Sequence, residues 1–556
     1  MRDKSFISGY FKMSFVLVLV LLINSCKKTD SPTPKPNLIV EYVEINGEKV
    51  LDNGRLSNIA IANIQVNLVF NDQIDGSQLK KNDLFFTNLI DTFYSVFPSI
   101  NKNELIIKIN QTPAPLSQFR LILSTGNNLG GIIQSGFSCT ISTSMDSTAK
   151  FPLISDNELL TKIQQNTFKY FWDYAHPVSG LTRERLGSGE TVTTGGSGFG
   201  LMAILVGINR GFITRNEGFD RFVKIVNFLS NAQTETFHGA YPHWLNGTSG
   251  KVIPFSTKDN GGDLVETAFL CQGLLAVKEF FKSGSAQEIA LCDKIQTIYE
   301  RVEWSWYTQD NQNVLYWHWS PNYTWQMNHK IQGWNEGLIV YVLAAASPTF
   351  PISKDVYEQG WARNGAIVNG KTFFNTVLPL GEDKGGPLFF SHYSFMGLNP
   401  THLSDQYANY MTQNVAHSKI NYSYCVSNPK NQIGFSGDCW GLTASDVDFG
   451  YTASSPNNDV GVIAPTAAIS AFPYTPFESM KALKFFYYII GDKIWGEYGF
   501  KDAFNLNIPW YSPSYLAIDQ GPIIVMVENY RSAMIWNLFM QNSDVQKGLT
   551  KLGFTY

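Results

Sequence analysis

The stretch Asp263-Leu264-Val265-Glu266-Thr267-Ala268-Phe269-Leu270-Cys271-Gln272-Gly273-Leu274-Leu275-Ala276-Val277-Lys278-Glu279-Phe280-Phe281 decides the fold class, because its apolar residues recur at helical spacing. Its head can be read in two ways. An Asp ahead of an apolar run caps a helix, and Glu266 three residues on completes the first turn. The same spacing sets both carboxylates on one face, with Asp259 projecting from the preceding turn, Lys258-Asp259-Asn260-Gly261-Gly262. Spacing alone favours the structural role.

The helical pattern continues on both sides. Leu159, Leu160, Ile163, Phe168 and Phe171 mark one helix, and Phe219, Phe222, Ile225 and Leu229 another. Downstream, EIALCDKIQTIYERV, NEGLIVYVLAAA, LSDQYANYMTQNVAHS, FESMKALKFFYYIIG and ENYRSAMIWNLFMQ read the same way, giving about ten to twelve helices over residues 156–556. Long loops rich in Gly, Asp, His, Trp and Tyr separate them at 182–200, 236–262 and 421–462. Helices alternating with such loops imply a mainly α protein built on an (α/α)6 toroid, with the loops at one end forming a cleft.

Upstream of a linker at 145–155 the period changes. Residues 38–144 carry short β-rich runs, NLIVEYVEI, IANIQVNLVF, ELIIKI and FRLILST, between Asn/Gly/Asp/Pro clusters, which reads as a small β-sandwich. The segment from Val66, VNLVFNDQIDGSQLKKNDLFF, resembles bacterial Ig-like modules, which act as spacers. Residues 26–37 read as a Pro-rich tether. Residues 1–25 read as a signal peptide, with Arg2, Lys4 and Lys12 ahead of an apolar Ser14–Ile23 run too short to span a membrane. The run ends in Leu22-Ile23-Asn24-Ser25-Cys26, which resembles a lipobox. The expectation is an exported lipoprotein acylated at Cys26, touching the outer membrane through that anchor alone, on its periplasmic or cell-surface face.

The 556 residues include 42 basic and 46 acidic side chains, a formal charge of −4 that argues against a nucleic-acid partner. Aromatics reach 14%, with 13 Trp, 26 Tyr and 39 Phe, which suits large helical cores or platforms for sugar rings. Five cysteines follow Cys26. Cys425 and Cys439 sit in a loop-like segment where they could bridge, whereas Cys271 and Cys292 fall in apolar helical patterns as buried thiols. With no CxxC, HExxH or EF-hand spacing, no metal and no cofactor are expected.

Acidic residues in Gly- and aromatic-rich loops suit glycosidic cleavage, which needs a proton donor for the leaving oxygen and a carboxylate that activates water or attacks carbon. Glu336, in Gly333-Trp334-Asn335-Glu336-Gly337, has aromatic neighbours and only Lys330 nearby in sequence. Partial burial there would suit it to a general acid; otherwise it serves the dipole of the following helix. Trp317, His318, Trp319 and Trp325 offer a sugar platform or core filling. The loops around His392 and Tyr393, Trp440 and Asp446, and Asp519 gather further polar groups. Asp446 or Asp519 could be the base, His392 could donate to a hydroxyl, and Glu528 could pair with Arg531.

In chain order, GLTRERL (from Gly180), NGGDLVETAFL, GWNEG, FFSHYSF, WGLTASD, GVIAPTAAISAFPYTP and IDQGPIIVMVENYRS resemble the glycoamylase-like domain. Within that group the chain most resembles glycoside hydrolase family 144, the bacterial β-1,2-glucanases. The resemblance implies an (α/α)6 barrel, inversion at the anomeric carbon, and a β-1,2-glucan or oligosaccharide substrate cut internally or from a chain end. It puts the essential acids at Asp259, Asp263, Glu266 and Glu336, with Asp519 a looser match, which reverses the weighting from spacing. Glu336 corresponds to the acid. The base stays open between Asp263, Asp519 and Asp446, acting directly or through a relay of water or substrate hydroxyl. Arg183, Trp317, His318, Trp319 and His392 are expected to contact sugar, as are Tyr393, Trp440, Asp446 and Glu528. The competing readings are an α-glucan glucoamylase-type hydrolase, a non-catalytic surface glycan-binding lipoprotein, and a helical scaffold; the four mapped carboxylates speak against the binder.

Overall fold

The computed structural model describes residues 35–80, 82–89, 93–99, 101–126 and 129–556. The expected signal peptide at 1–25, Cys26 and most of the expected tether lie outside the described residues. Among the described residues no helix is long and apolar enough to cross a membrane. The chain divides into two compact units, one made of the residues up to Thr112 with Phe119–Ile141, the other of Pro113–Gln118 with Ser142–Tyr556.

The first unit is built on strands. A five-stranded antiparallel sheet runs in the order Glu48–Val50, Val40–Ile45, Gln65–Phe70, Glu104–Ile109, Tyr94–Pro98. A four-stranded sheet runs Gly54–Ile59, Phe137–Thr143, Gln118–Leu123, Leu84–Thr87. Side chains alternate across each pleat, so Val66 and Leu68 are fully buried while Gln65 and Asn67 are not. Val43, Leu68 and Ile107 of one sheet and Phe86, Leu121 and Ile141 of the other belong to one apolar core.

Among its described residues the second unit holds fourteen α-helical segments, Asp156–Trp172 being the first. Ser155/Glu158, Thr214/Glu217 and Ser285/Glu288 form reciprocal capping boxes that fix where three of these helices begin. Two helices of the core, Thr194–Asn209 and Leu264–Phe281, touch backbone to backbone. A Cβ on Gly198 would lie 2.1 Å from the Phe269 carbonyl oxygen, and one on Gly273 would lie 2.2 Å from the Gly198 oxygen. Only glycine permits this approach, and it brings the N-terminal ends of both helices together.

Three local expectations change. The apolar helix expected from Asn335 starts at Leu338, leaving Glu336 ahead of it. The helix expected from Leu403 starts at Tyr410, where Asn409 accepts the Thr412 N–H as cap, and it runs to Ser427. Cys425 therefore lies on a helix rather than in a loop. It and Cys439 are both free and buried, as are Cys271 and Cys292, and burial pushes the Cys425 thiol up to about 12.

Candidate active site

Asp263 divides its two oxygens between two tasks. Oδ1 caps the Leu264–Phe281 helix, accepting the N–H groups of Val265 at 3.0 Å and Glu266 at 2.9 Å. Oδ2 faces His243 Nδ1 at 3.0 Å, Trp317 Nε1 at 3.3 Å and His318 Nε2 at 3.5 Å. The capping and catalytic readings of the sequence are thus both compatible with one carboxylate. His318 reaches this point because Gly262–Asp263 pairs antiparallel with His318–Trp319, setting Asp263 opposite His318. His318 Nε2 also lies 3.2 Å from Asp259 Oδ2. His243 is held by its carbonyl, which accepts the Thr194 N–H at 3.1 Å, beside the Thr193↔Trp244 strand pair.

Glu266 sits one turn into the same helix. Its Oε2 accepts the Gly195 N–H at 2.7 Å and the Thr193 hydroxyl at 3.3 Å, and its Oε1 lies 4.0 Å from His243 Nε2. A Cβ on Gly195 would come within 2.7 Å of that carboxylate, so glycine is what admits the bond. Thr193 makes no side-chain cap for its own helix and gives its hydroxyl to Glu266 instead.

Burial alone would lower the pKa of both imidazoles. The charges of Glu266, Asp263 and Asp259 outweigh it at His243, and hydrogen bonds and charge from Asp259 and Asp263 outweigh it at His318, so each rises to about 9. Burial would raise Asp263, but hydrogen bonds from these same two rings hold it well below the usual carboxylate range. Glu266 is raised by burial and by Asp263. His243, Asp259 and Asp263 each offer one ligand atom within 4.8 Å of the others, an arrangement a cation could use. Both imidazolium rings already supply the compensating positive charge, so the donor set fits an ion-pair network as it stands.

Glu336 precedes the Leu338–Ala346 helix and is partly exposed. Ser394 fixes its backbone, donating its hydroxyl to the Glu336 carbonyl while accepting the Ile339 N–H at 3.0 Å. Desolvation, with smaller contributions from Glu266 and Asp263, raises the Glu336 carboxyl to about 7. The Tyr393 phenol lies within electrostatic reach of Glu336, Glu266, Asp519 and Tyr451.

A second acidic group surrounds Asp519, in the first turn of the Ala517–Ser532 helix. Leu186 N–H donates to the Tyr515 carbonyl and Ala517 N–H to the Glu184 carbonyl, so backbone pairing delivers Arg185 here. Arg185 binds Asp446 Oδ1 at 3.0 Å and Glu184 Oε2 at 3.0 Å. Asp446, on the Ala444–Val447 strand, also accepts from Ser512 Oγ at 3.2 Å and donates its N–H to Asp502 Oδ2 at 2.7 Å.

Residues 328–543 match the Glycoamylase family model ("Putative glucoamylase"). The endo-β-1,2-glucanase from Chitinophaga pinensis, solved with sophorotriose and glucose, is 51% identical over 73% of this chain and 99% of its own, with a TM-score of 0.71. The chain belongs to the glycoamylase-like family. A β-1,2-glucanase from Parabacteroides distasonis is 37% identical, covering 94% of this chain and 74% of that one, with a TM-score of 0.70. An exo β-1,2-glucooligosaccharide sophorohydrolase acting at the non-reducing end, also from Parabacteroides distasonis, is 46% identical over 428 residues and 73% of this chain; the match spans 59% of that relative's length.

In this glycoamylase-like protein several expected sugar contacts have other work. Arg183 donates to the Gly189 and Tyr174 carbonyls and stacks on Tyr174; two residues on, Arg185 is the arginine that meets the acids. Trp440 is fully buried and donates to the Glu478 carbonyl, so it fills core. His392 is buried beside Tyr474, and burial lowers it to about 3, leaving a neutral ring shut away from a hydroxyl ligand. Glu528 pairs with Arg210 at 2.6 Å, not with Arg531, and accepts from Asn209 and Gln164. It lies nine residues beyond Asp519, about 13 Å along the helix and away from its N-terminal end. Trp317 and His318 are drawn into the carboxylate network, while partly buried Trp319 packs edge-on against Trp306. Sequence reasoning missed His243, Arg185 and Asp502. His243, in Pro242-His243-Trp244, carries a local cue, a titratable ring in an aromatic loop, and Arg185 lies inside GLTRERL, from which only Arg183 was expected at the sugar.

Proposed function

We propose that this protein hydrolyses β-1,2-linked glucan or its oligosaccharides with inversion, using Glu336 as general acid. The observation that carries the reading is Glu336 itself, a carboxyl partly open to solvent, fixed through its backbone, and raised to about 7 so that it holds a proton near neutral pH. Similarity to three β-1,2-acting proteins supports the substrate class. Of the candidate bases, Asp263 has donors on both oxygens and Asp446 is held by Arg185 and Ser512. Asp519 is the candidate whose carboxylate accepts no N–H from an arginine, an imidazole or the backbone among the described residues, which makes it the better acceptor for a proton from water. Incubation with β-1,2-, β-1,3-, α-1,4- and α-1,6-glucans, followed by product analysis, tests the proposal. Sophorose-type products from the β-1,2-glucan alone are expected; release of sugar from the α-1,4-glucan instead would overturn it.

The helical unit is read as an (α/α)6 toroid and the strand unit as an Ig-like module. The support for a toroid is that Gly195, Asp263, Glu336 and Asp519 all stand at or just before helix N-termini, as a ring with one functional end requires. Cys26 is proposed as an acylated anchor to the outer membrane, from the basic and apolar run before it. Detergent partitioning with N-terminal mass analysis should find acyl chains on Cys26. A Cys26→Ala form that stays membrane-bound would remove the claim.

A further inference from the structure

Asp502 lies in no motif, yet it is 2% exposed and wedged among acids. Its Oδ2 accepts the Asp446 N–H at 2.7 Å. Its side chain also faces that of Asp519, and Asp502 Oδ1 and Asp519 Oδ2 are both buried with no other hydrogen-bond partner among the described residues. Two buried, unpartnered carboxylate oxygens placed in this way satisfy one another only when one of the two groups carries a proton. The charge count points the same way. Asp446, Asp502 and Asp519 face one cation among the described residues, Arg185, which Glu184 also engages. The Tyr393 and Tyr451 phenols facing Asp519 add no positive charge.

We propose that Asp502 and Asp519 share one proton as a dyad, Asp502 being the positioning residue that takes up the shared proton when Asp519 accepts one from the attacking water. The inference rests on the reading of Asp519 as base. As the water oxygen bonds to the anomeric carbon, its proton passes to Asp519 and the shared proton moves onto Asp502. The electron pair of the breaking glycosidic bond stays on the leaving oxygen, which takes the proton of Glu336. The dyad then returns one proton to solvent, and Glu336 takes one back from it. Burial and the neighbouring Asp446 charge raise Asp502 to about 7, and burial with the charges of Asp502 and Asp446 raises Asp519 well above the ordinary carboxylate range, so the pair keeps a proton after other acids have ionised.

Infrared difference spectra of the full chain against Asp502→Asn and Asp519→Asn, taken at about pH 8, read that proton as a neutral-carboxyl band. The band is expected in the parent and absent from both variants, because the amide introduced by Asp502→Asn offers Asp519 an N–H in place of a negative charge. A band that survives in Asp502→Asn shows burial alone protonating Asp519 and overturns the dyad. Should Asp502→Asn fail to fold, Asp502→Ser takes its place, since its hydroxyl can donate to Asp519 without a charge and the band must again vanish. Turnover separates this from the reading beneath it. Asp502→Asn should lower kcat by about 10- to 100-fold with KM nearly unchanged. Near-normal turnover in Asp519→Asn would refute Asp519 as base whatever the spectra show.

Discussion

Replacing Glu336 by Gln is expected to lower turnover on β-1,2-glucan by about 10² to 10⁴ while substrate still binds, since the amide keeps the shape and loses the proton. The cause is local. Glu336 sits where desolvation and the charges of Glu266 and Asp263 favour its neutral form, and its backbone is pinned through Ser394. Activity limited by this acid falls as pH rises through about 7, the value at which the folded carboxyl ionises, and Glu336→Gln should lose that alkaline limb. Glycosides with a good leaving group need little protonation and should recover much of the loss. NMR of the first-formed product reports the stereochemistry. Retention would demand a nucleophile roughly 5 Å from the acid in place of the inverting gap of roughly 6.5 to 9.5 Å, and would sink the mechanism, as would near-normal turnover by Glu336→Gln.

Helical periodicity made the apolar cores of Asp156–Trp172 and Leu264–Phe281 readable, because 3.6-residue spacing is a local property of the chain. The alternation in Gln65–Phe70 was readable for the same reason. What the residues could not disclose is assembled by short backbone pairings between distant segments. Asp263 meets His318 through a two-residue ladder, and Arg185 meets Asp446 because 184–186 pairs with 515–517. Arg183 and Arg185 are alike in sequence, and only that pairing separates the carbonyl-bound one from the carboxylate-bound one. Glu528 and Asp519 share a helix and a polar neighbourhood in sequence; the rise of the helix sends them to different ends, one to Arg210 and one to the acids. Trp440 and His392 look like sugar contacts by type, yet burial makes them core.

Asp263→Ala is expected to destabilise the fold by about 3 to 5 kcal/mol, because it strips two buried imidazolium rings of a shared partner. Loss of the helix cap contributes about 1 kcal/mol of that fall. The dependence on pH identifies the cause. His243 and His318 sit at about 9 in the fold against 6.5 when free, so their protonated forms favour the folded state. That contribution is complete below 6.5 and is lost as pH rises through about 9. Asp263, held below its ordinary 3.8, contributes in the opposite sense, with stability that is present above that value and lost as pH falls through its depressed one. Urea unfolding of the parent should therefore show stability falling from about pH 7 to about pH 10. In Asp263→Ala the decline should be much shallower, since the rings keep only Asp259 and the more distant Glu266 and titrate nearer their free value. Asp263→Asn separates the two tasks of the carboxylate. Its oxygen can still cap the helix, so it should recover about the cap's 1 kcal/mol, while turnover and the alkaline dependence stay lost. An Asp263→Asn protein with the parent's pH–stability curve would mean that Asp259 and Glu266 alone charge the two histidines, and that Asp263 serves the helix more than the site.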